Sequence, residues 1–393
     1  MTRKHAAAAV AMGILLLAAW PGNLAGKSEN TDPNNKARDK QPLVEVCFVL
    51  DTTGSMSSLI EGAKAKIWSI TNQIILGEPK PKVRLALVPY RDKGDAYVTK
   101  VFDLTDNIDQ VYADLKEFRA SGGGDGPENV NQGLYDAINK VKWSKGKHVL
   151  RIIYLVGDYP PHNEYKDVPT YDKLAKAAIT KGIYINTILC GNNAEAGKVW
   201  KEIARAAEGE FYAIGQSGDV QVIDTPFDKK LAKLNSDLTG TAVVYGTTAE
   251  QSKATKLNTA SGGLGGKATP AGAERARNSL LTGRVATQDL VQAVTDGKVD
   301  LEKLKNDQLP KEMQKMDLKE QKAYIAKQQA QRKQLLAEVR NLTEKRDEYI
   351  KAERAKLIKD GKAKRGFDEK VIEGLRKQAA KKNIKYESDT DSK

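Results

Sequence analysis

The residues best suited to chemistry in this chain are oxygen donors. Residues 47–57 read CFVLDTTGSMS: an apolar run ends in Asp51, and Thr53 and Ser55 follow at alternate positions. This D-x-T-x-S spacing offers one carboxylate and two hydroxyls on one side of a loop. Such a set suits a hard divalent ion, Mg²⁺ first, with Mn²⁺ and Ca²⁺ as alternatives. Gly54 gives the backbone room to bend around the ion. A second apolar run, HVLRIIYLVGD, ends in Asp158, and between the two the loop SGGGDGPEN carries Asp125 and Glu128. Taken alone, Thr53 or Ser55 is equally well explained as the cap of a helix starting near Ser57, because Ser and Thr are preferred at that position. Asp158 at a second strand end and the acidic glycine loop tip the reading toward a metal site.

These donors meet only if the elements behind them converge. LVEVCFVLD (43–51) reads as a buried strand, and SSLIEGAKAKIWSITNQIIL (57–76) as a helix with Leu59, Ala63, Ile67, Ile70 and Ile74 at helical spacing. KVRLALVPY (82–90) and YVTKVFDLT (97–105), joined by the turn RDKGD, predict a hairpin and hence one antiparallel edge strand. Alternating helices and strands continue to about Gly246. The expected fold is α/β: a doubly wound, mostly parallel, Rossmann-like sheet with helices on both faces, plus a C-terminal α-helical region. In such sheets ligands gather at the carboxyl ends of the strands, where Asp51 and Asp158 both stand.

Residues 43–246 resemble the von Willebrand factor type A (VWA) domains, and LVGDYPPH is similar to a loop of their exported bacterial members. The family's metal-ion-dependent adhesion site has the pattern D-x-S-x-S, a later loop Thr and a third-loop Asp. The resemblance assigns Asp51, Thr53 and Ser55 to the first loop and Asp158 to the third. The middle loop, GGGDGPE, departs from the family by lacking the Thr, and Asp125 is preferred there to Glu128. The resemblance implies a central first strand, with the fourth, fifth and sixth strands on one side and the hairpin on the other. It also implies a non-enzymatic, Mg-dependent interaction platform in which a carboxylate from a partner protein completes the ion's shell.

The rest of the 393 residues divides by composition. Hydrophobic residues at 40% and charged residues at 29% describe a globular chain of two or three domains. Arg3 and Lys4 before the apolar stretch 6–20 predict a signal peptide or N-terminal anchor over 1–26, hence a periplasmic, secreted or membrane-anchored protein. A polar linker over 27–41 precedes the VWA domain at 42–247. The Gly, Ser, Thr and Pro cluster that follows predicts a flexible linker over 248–297. A basic helical region at 298–386 and a tail at 387–393 close the chain. That region carries 26 Lys and Arg against 15 Asp and Glu, most of the net charge of +13. Its apolar stripe (Leu335, Val339, Leu342, Tyr349) is broken by Arg346 and Glu353, which predicts a short hairpin or a partner-dependent coiled coil rather than one long helix.

Competing chemistries are thinly represented. No G-x-x-x-x-G-K-[ST] loop is present, and Asp125 would repel phosphate. His162 in PPHNE is the one candidate general base for a metal-dependent hydrolase, and a rim His in a turn is more often plain polar surface. Asp92, in the RDKGD turn, is explained by the turn itself. Cys47 and Cys190 fall on strands expected to be non-adjacent and read as buried thiols. The basic helices raise a third possibility, binding of an anionic envelope polymer or lipid surface. Their interleaved acids and few aromatics argue against nucleic acid.

Overall fold

The computed structural model describes residues 41–124, 126–265 and 269–386. The expected signal or anchor at 1–26, the linker before Gln41 and the tail at 387–393 lie outside the described residues. Among those described, no helix is long and apolar enough to cross a membrane.

A six-stranded sheet forms the centre, in the order β3-β2-β1-β4-β5-β6. The strands are β1 (Leu43–Asp51), β2 (Lys82–Tyr90), β3 (Phe102–Thr105), β4 (Val149–Gly157), β5 (Ile183–Cys190) and β6 (Phe211–Ile214). Only β3 runs antiparallel, as the far arm of the hairpin from β2. The period of two in β1 sorts its side chains. Val44, Val46, Phe48 and Leu50 enter one core with helices α1 (Ser57–Ile75) and α2 (Ile108–Lys116). Cys47 and Val49 enter the other with α3 (Val130–Asn139), α4 (Tyr171–Thr180) and α5 (Ala194–Ala206). Both faces of β1 are therefore covered, which is why it reads as an almost unbroken apolar run. Cys47 and Cys190 are buried free thiols on β1 and β5, with β4 between them.

Beyond β6 the chain differs from the expected layout. The stretch 248–297, expected as a flexible linker, holds α7 (Thr248–Gly262), α8 (Thr269–Thr282) and α9 (Leu290–Thr295); α8 shares one buried apolar cluster with α6 (Asp228–Gly240), and Leu290 and Val291 of α9 enter another. Gly272 serves close approach rather than flexibility. A Cβ on Gly272 would stand 2.6 Å from the Leu264 carbonyl oxygen and 3.0 Å from the Ala232 Cβ. Thr247 and Glu250 close a capping box at the start of α7.

The long helix is a second correction. α10 runs unbroken over Leu318–Lys359, 42 residues, where a hairpin or short coiled coil was expected. Arg346, which seemed to break the apolar stripe, is itself buried: its guanidinium pairs with Asp228 at 2.6 Å and with Glu274 at 2.6 Å. A charged residue on the packed side is compatible with burial when its partners are supplied.

Nor is the basic region an appendage. Its last helix, α11 (Phe367–Ala380), returns to the sheet and packs on β4, β5 and α1. Phe367 lies 6.0 Å from Phe48 between ring centroids, Val371 and Leu375 are fully buried, and the amides of Gln378 and Asn186 bond each other. The apolar face of α11 is thus part of the sandwich core, and the boundary expected at 247 does not separate two bodies.

Candidate functional site

Asp51 ends β1 between Tyr90 of β2 and the end of β4, so its position is fixed from both sides. It is fully buried. Its Oδ1 accepts from the Thr53 backbone N–H at 2.8 Å and from the Thr53 hydroxyl at 2.6 Å, while its Oδ2 has no hydrogen-bond partner. The Thr53 hydroxyl is therefore turned toward the carboxylate, and neither Thr53 nor Met56 caps the helix with a side chain. The capping explanation of the first loop is thereby removed. Ser55 stands exposed at the open side, its hydroxyl 3.5 Å from that of Thr53.

The third loop brings Asp158 against Asp51. Gly157 makes this possible, because a Cβ there would stand 2.3 Å from the Tyr90 hydroxyl and 3.3 Å from the Asp51 Oδ2. Asp158 is buried, its Oδ2 accepts from the Gln216 amide at 2.8 Å, and its Oδ1 has no partner. Burial, and then the charge of Asp158, pushes the Asp51 carboxyl up to about 7 against the two Thr53 hydrogen bonds that pull it down.

Gly122 and Gly123 shape the middle loop with φ of +82° and +77°. That conformation favours glycine. It lays the loop on the first one: the Gly54 N–H donates to the Gly122 carbonyl at 3.2 Å, and the Ser121 N–H to the Thr52 carbonyl at 3.1 Å. A Cβ on Gly123 would stand 2.8 Å from the Glu128 Oε1 and 3.0 Å from the Thr53 Cβ. Asp125, the preferred middle-loop ligand, lies outside the described residues. Glu128 is placed at the site: it is buried and its Oε2 has no partner. Burial raises its carboxyl to about 9, helped by the charges of Asp51, Asp92, Asp95 and Asp158. Asn129, not an acid, caps α3.

Loops two and three are tied together. The Glu128 N–H donates to the Pro160 carbonyl and the His162 N–H to the Glu128 carbonyl, each at 3.1 Å. His162 is not the surface histidine expected from its turn. It is buried, stacked on Tyr165 at 4.5 Å, with Nε2 at 3.5 Å from Asp92 and Nδ1 at 2.5 Å from Glu164. Asp92 likewise does more than form a turn, since it also accepts from the Tyr165 hydroxyl at 2.9 Å. Gln216 was missed from the sequence altogether. Its one trace is Gly191, where a Cβ would meet the Gln216 Oε1 at 2.3 Å.

The donor set fits a divalent cation. Asp51, Glu128 and Asp158 each bury a carboxylate oxygen without a partner, and buried acceptors are ordinarily satisfied. No three or more His, Cys, Asp or Glu side chains group as metal ligands among the described residues. The donors that the structure brings into contact are two carboxylates, Asp51 and Asp158, beside the hydroxyls of Thr53 and Ser55, with Glu128 packed behind Gly123.

Residues 45–225 match the family described as von Willebrand factor A domain. The chain is 40% identical over 100 residues to human von Willebrand factor A domain-containing protein 7, covering 25% of this chain and 11% of that protein. It is 29% identical over 128 residues to the alpha-protein kinase vwkA of Dictyostelium discoideum, covering 32% of this chain and 20% of the kinase. Its match thus spans a fifth or less of the length of these relatives. Among solved structures it is similar to the mussel byssus proximal thread matrix protein 1 with a zinc-occupied metal site, at 16% identity, TM-score 0.36, 44% of this chain and 42% of that one.

Proposed function

We propose that this chain, a von Willebrand factor A domain protein, holds a divalent cation at the strand-end rim and uses it to bind a carboxylate of a protein partner. The observation that carries the reading is the trio of buried carboxylates, Asp51, Glu128 and Asp158, each with an unmet oxygen and none paired with Lys or Arg among the described residues. Asp51, Thr53, Ser55 and Asp158 would hold the ion, with Glu128 or Asp125 from the middle loop. The choice of Mg²⁺ rests on the oxygen-only donor set. When bound, the ion supplies positive charge that stabilises these carboxylates and an electrophilic contact for an acidic side chain. The protein's own contribution is to orient the donors. Thr53 fixes one Asp51 oxygen, Gln216 fixes one Asp158 oxygen, and the glycines of the second loop let it approach.

The role is binding rather than turnover. His162 at the rim is held by Glu164 through Nδ1 and stands beside Asp92, which gives it a positioning part in the loop. Export from a bacterial cell remains part of the proposal, resting on the charge and apolar order of residues 1–26.

Isothermal titration of Mg²⁺ into the metal-free chain tests the site. Binding is expected for the parent and lost in Asp51→Ala, which keeps its far-UV circular dichroism. Capture of protein partners from an envelope extract, with and without chelator, tests the platform. Equal capture in both conditions, or unchanged Mg²⁺ affinity in Asp51→Ala, would overturn it.

A further inference from the structure

At the opposite end of the sheet the molecule has a cavity of about 550 Å³. Its floor is the beginning of β1 and β2, at Leu43 and Val83, and one wall is α1, with Trp68, Thr71 and Ile75. α2 contributes Ile108, and the facing wall is α8, with Asn278 and Leu281. Leu43 begins the strand that Asp51 ends, so the cavity is roughly 26 Å from the rim at the usual rise per strand residue. The family match stops at residue 225, and α8 comes after it. The cavity is therefore closed by a wall from outside the matched region, set against a floor and wall that lie mostly within it.

Its chemistry is graded from inside to outside. The deep end is buried and largely apolar, formed by Trp68, Ile75, Val83 and Ile108. The Trp68 indole N–H finds no acceptor. The mouth is basic, with Lys80, Lys82 and Lys298 exposed. In all, six Lys and Arg side chains line the cavity against two carboxylates. Those carboxylates are committed: Asp109 to Arg275 through both oxygens, Asp106 to Arg284. Among the described residues Lys80 and Lys82 have no carboxylate partner, and the Lys80 ammonium donates to the Leu281 carbonyl at the α8 wall. Small-ligand sites commonly measure about 300–1,000 Å³ and combine apolar walls with a few placed polar groups.

We propose that this cavity binds a small amphipathic organic anion, its apolar body against Trp68 and Ile75 and its anionic head at Lys80 and Lys82. The site is separate from the rim and does not depend on a metal there. An oxyanion head supplies the two ammonium groups with the carboxylate-type partner they lack, and an aliphatic or aromatic body removes the apolar deep end from water.

Calorimetric titration of the full chain with decanoate, decyl phosphate and decan-1-ol, each below its aggregation threshold, tests the inference. One or both acids are expected to bind, at least tenfold more tightly than the alcohol and more weakly at high salt. The double variant Lys80→Glu/Lys82→Glu is expected to lose at least tenfold in affinity for the acids, and Thr282→Trp, at the exposed mouth, to block them. Both variants should keep the parent's unfolding transition and its Mg²⁺ affinity at the rim, which reports that the sandwich is intact. Equal binding of alcohol and acids, binding of none of the three, or unchanged acid affinity in the folded double variant would overturn the proposal.

Discussion

In the helical layer every buried carboxylate that packs against α8 or α10 faces an arginine. Asp109 meets Arg275 at 2.8 Å, Asp228 and Glu274 meet Arg346, and Asp289 meets Arg332 at 2.7 Å. At the sheet rim Asp51, Glu128 and Asp158 are buried as deeply, and no arginine or lysine is paired with them among the described residues. The titration behaviour separates the two places. Burial alone would raise Glu274, yet Arg346 and Arg277 hold it below the ordinary range. Asp51 and Glu128 are pushed up to about 7 and about 9. One region resolves its charge within the fold. The other leaves its negative charge without a basic partner, which is the contrast on which the proposed cation site rests.

The largest test of the contrast removes charge from each side. Arg346→Met strands Asp228 and Glu274 in the interior and is expected to cost about 3–5 kcal/mol in urea unfolding. Asp158→Asn in chelator should leave stability unchanged or raise it, because it removes repulsion from Asp51. A similar loss in both variants would erase the distinction.

A smaller effect is expected from pH. Asp51 and Glu128 have raised carboxyls, so in the metal-free state the folded chain binds more protons than the unfolded one above the ordinary carboxylate range. Their contribution to stability is fully present below about pH 4 and is lost as pH rises through about 7 and then about 9. The metal-free melting temperature should therefore fall from mildly acidic to alkaline pH, and Mg²⁺ should flatten the fall. A metal-free profile that rises over this range would contradict the unpaired rim.

The smallest effect concerns the loop that closes the site. Gly123→Ala meets both a φ of +77° and the Glu128 and Thr53 side chains, and is expected to cost about 1–2 kcal/mol and weaken Mg²⁺ binding. Gly124→Ala meets nothing within 4 Å and should behave as the parent. Identical Mg²⁺ affinity in the two variants would mean that the second loop does not shape the site.

Much of the sandwich was legible because its signals are local. The apolar run of β1, the alternation of β2 and the hairpin before β3 each announce their element without reference to the rest. Asp51, Thr53 and Ser55 share one short loop, so their joint chemistry is visible in a few letters. The helical layer was misread for the opposite reason. Gly272 and its small neighbours resemble a linker until Leu264 and Ala232 are seen against them. Arg346 interrupts a stripe until Asp228, 118 positions away, is found beside it.

The sequence by itself determined the α/β sandwich, the strand-end placement of Asp51 and Asp158, and the resemblance to von Willebrand factor A domains, because burial period and loop chemistry are written in neighbouring residues. Only the tertiary structure decided which buried charges are paired, that α11 closes the core, and that Thr53 bonds to Asp51 rather than capping a helix. It also brought Gln216 to Asp158 and set α8 over the start of the sheet to form the cavity. These depend on contacts between residues far apart in the chain, and no local pattern specifies such a contact until packing brings the partners together.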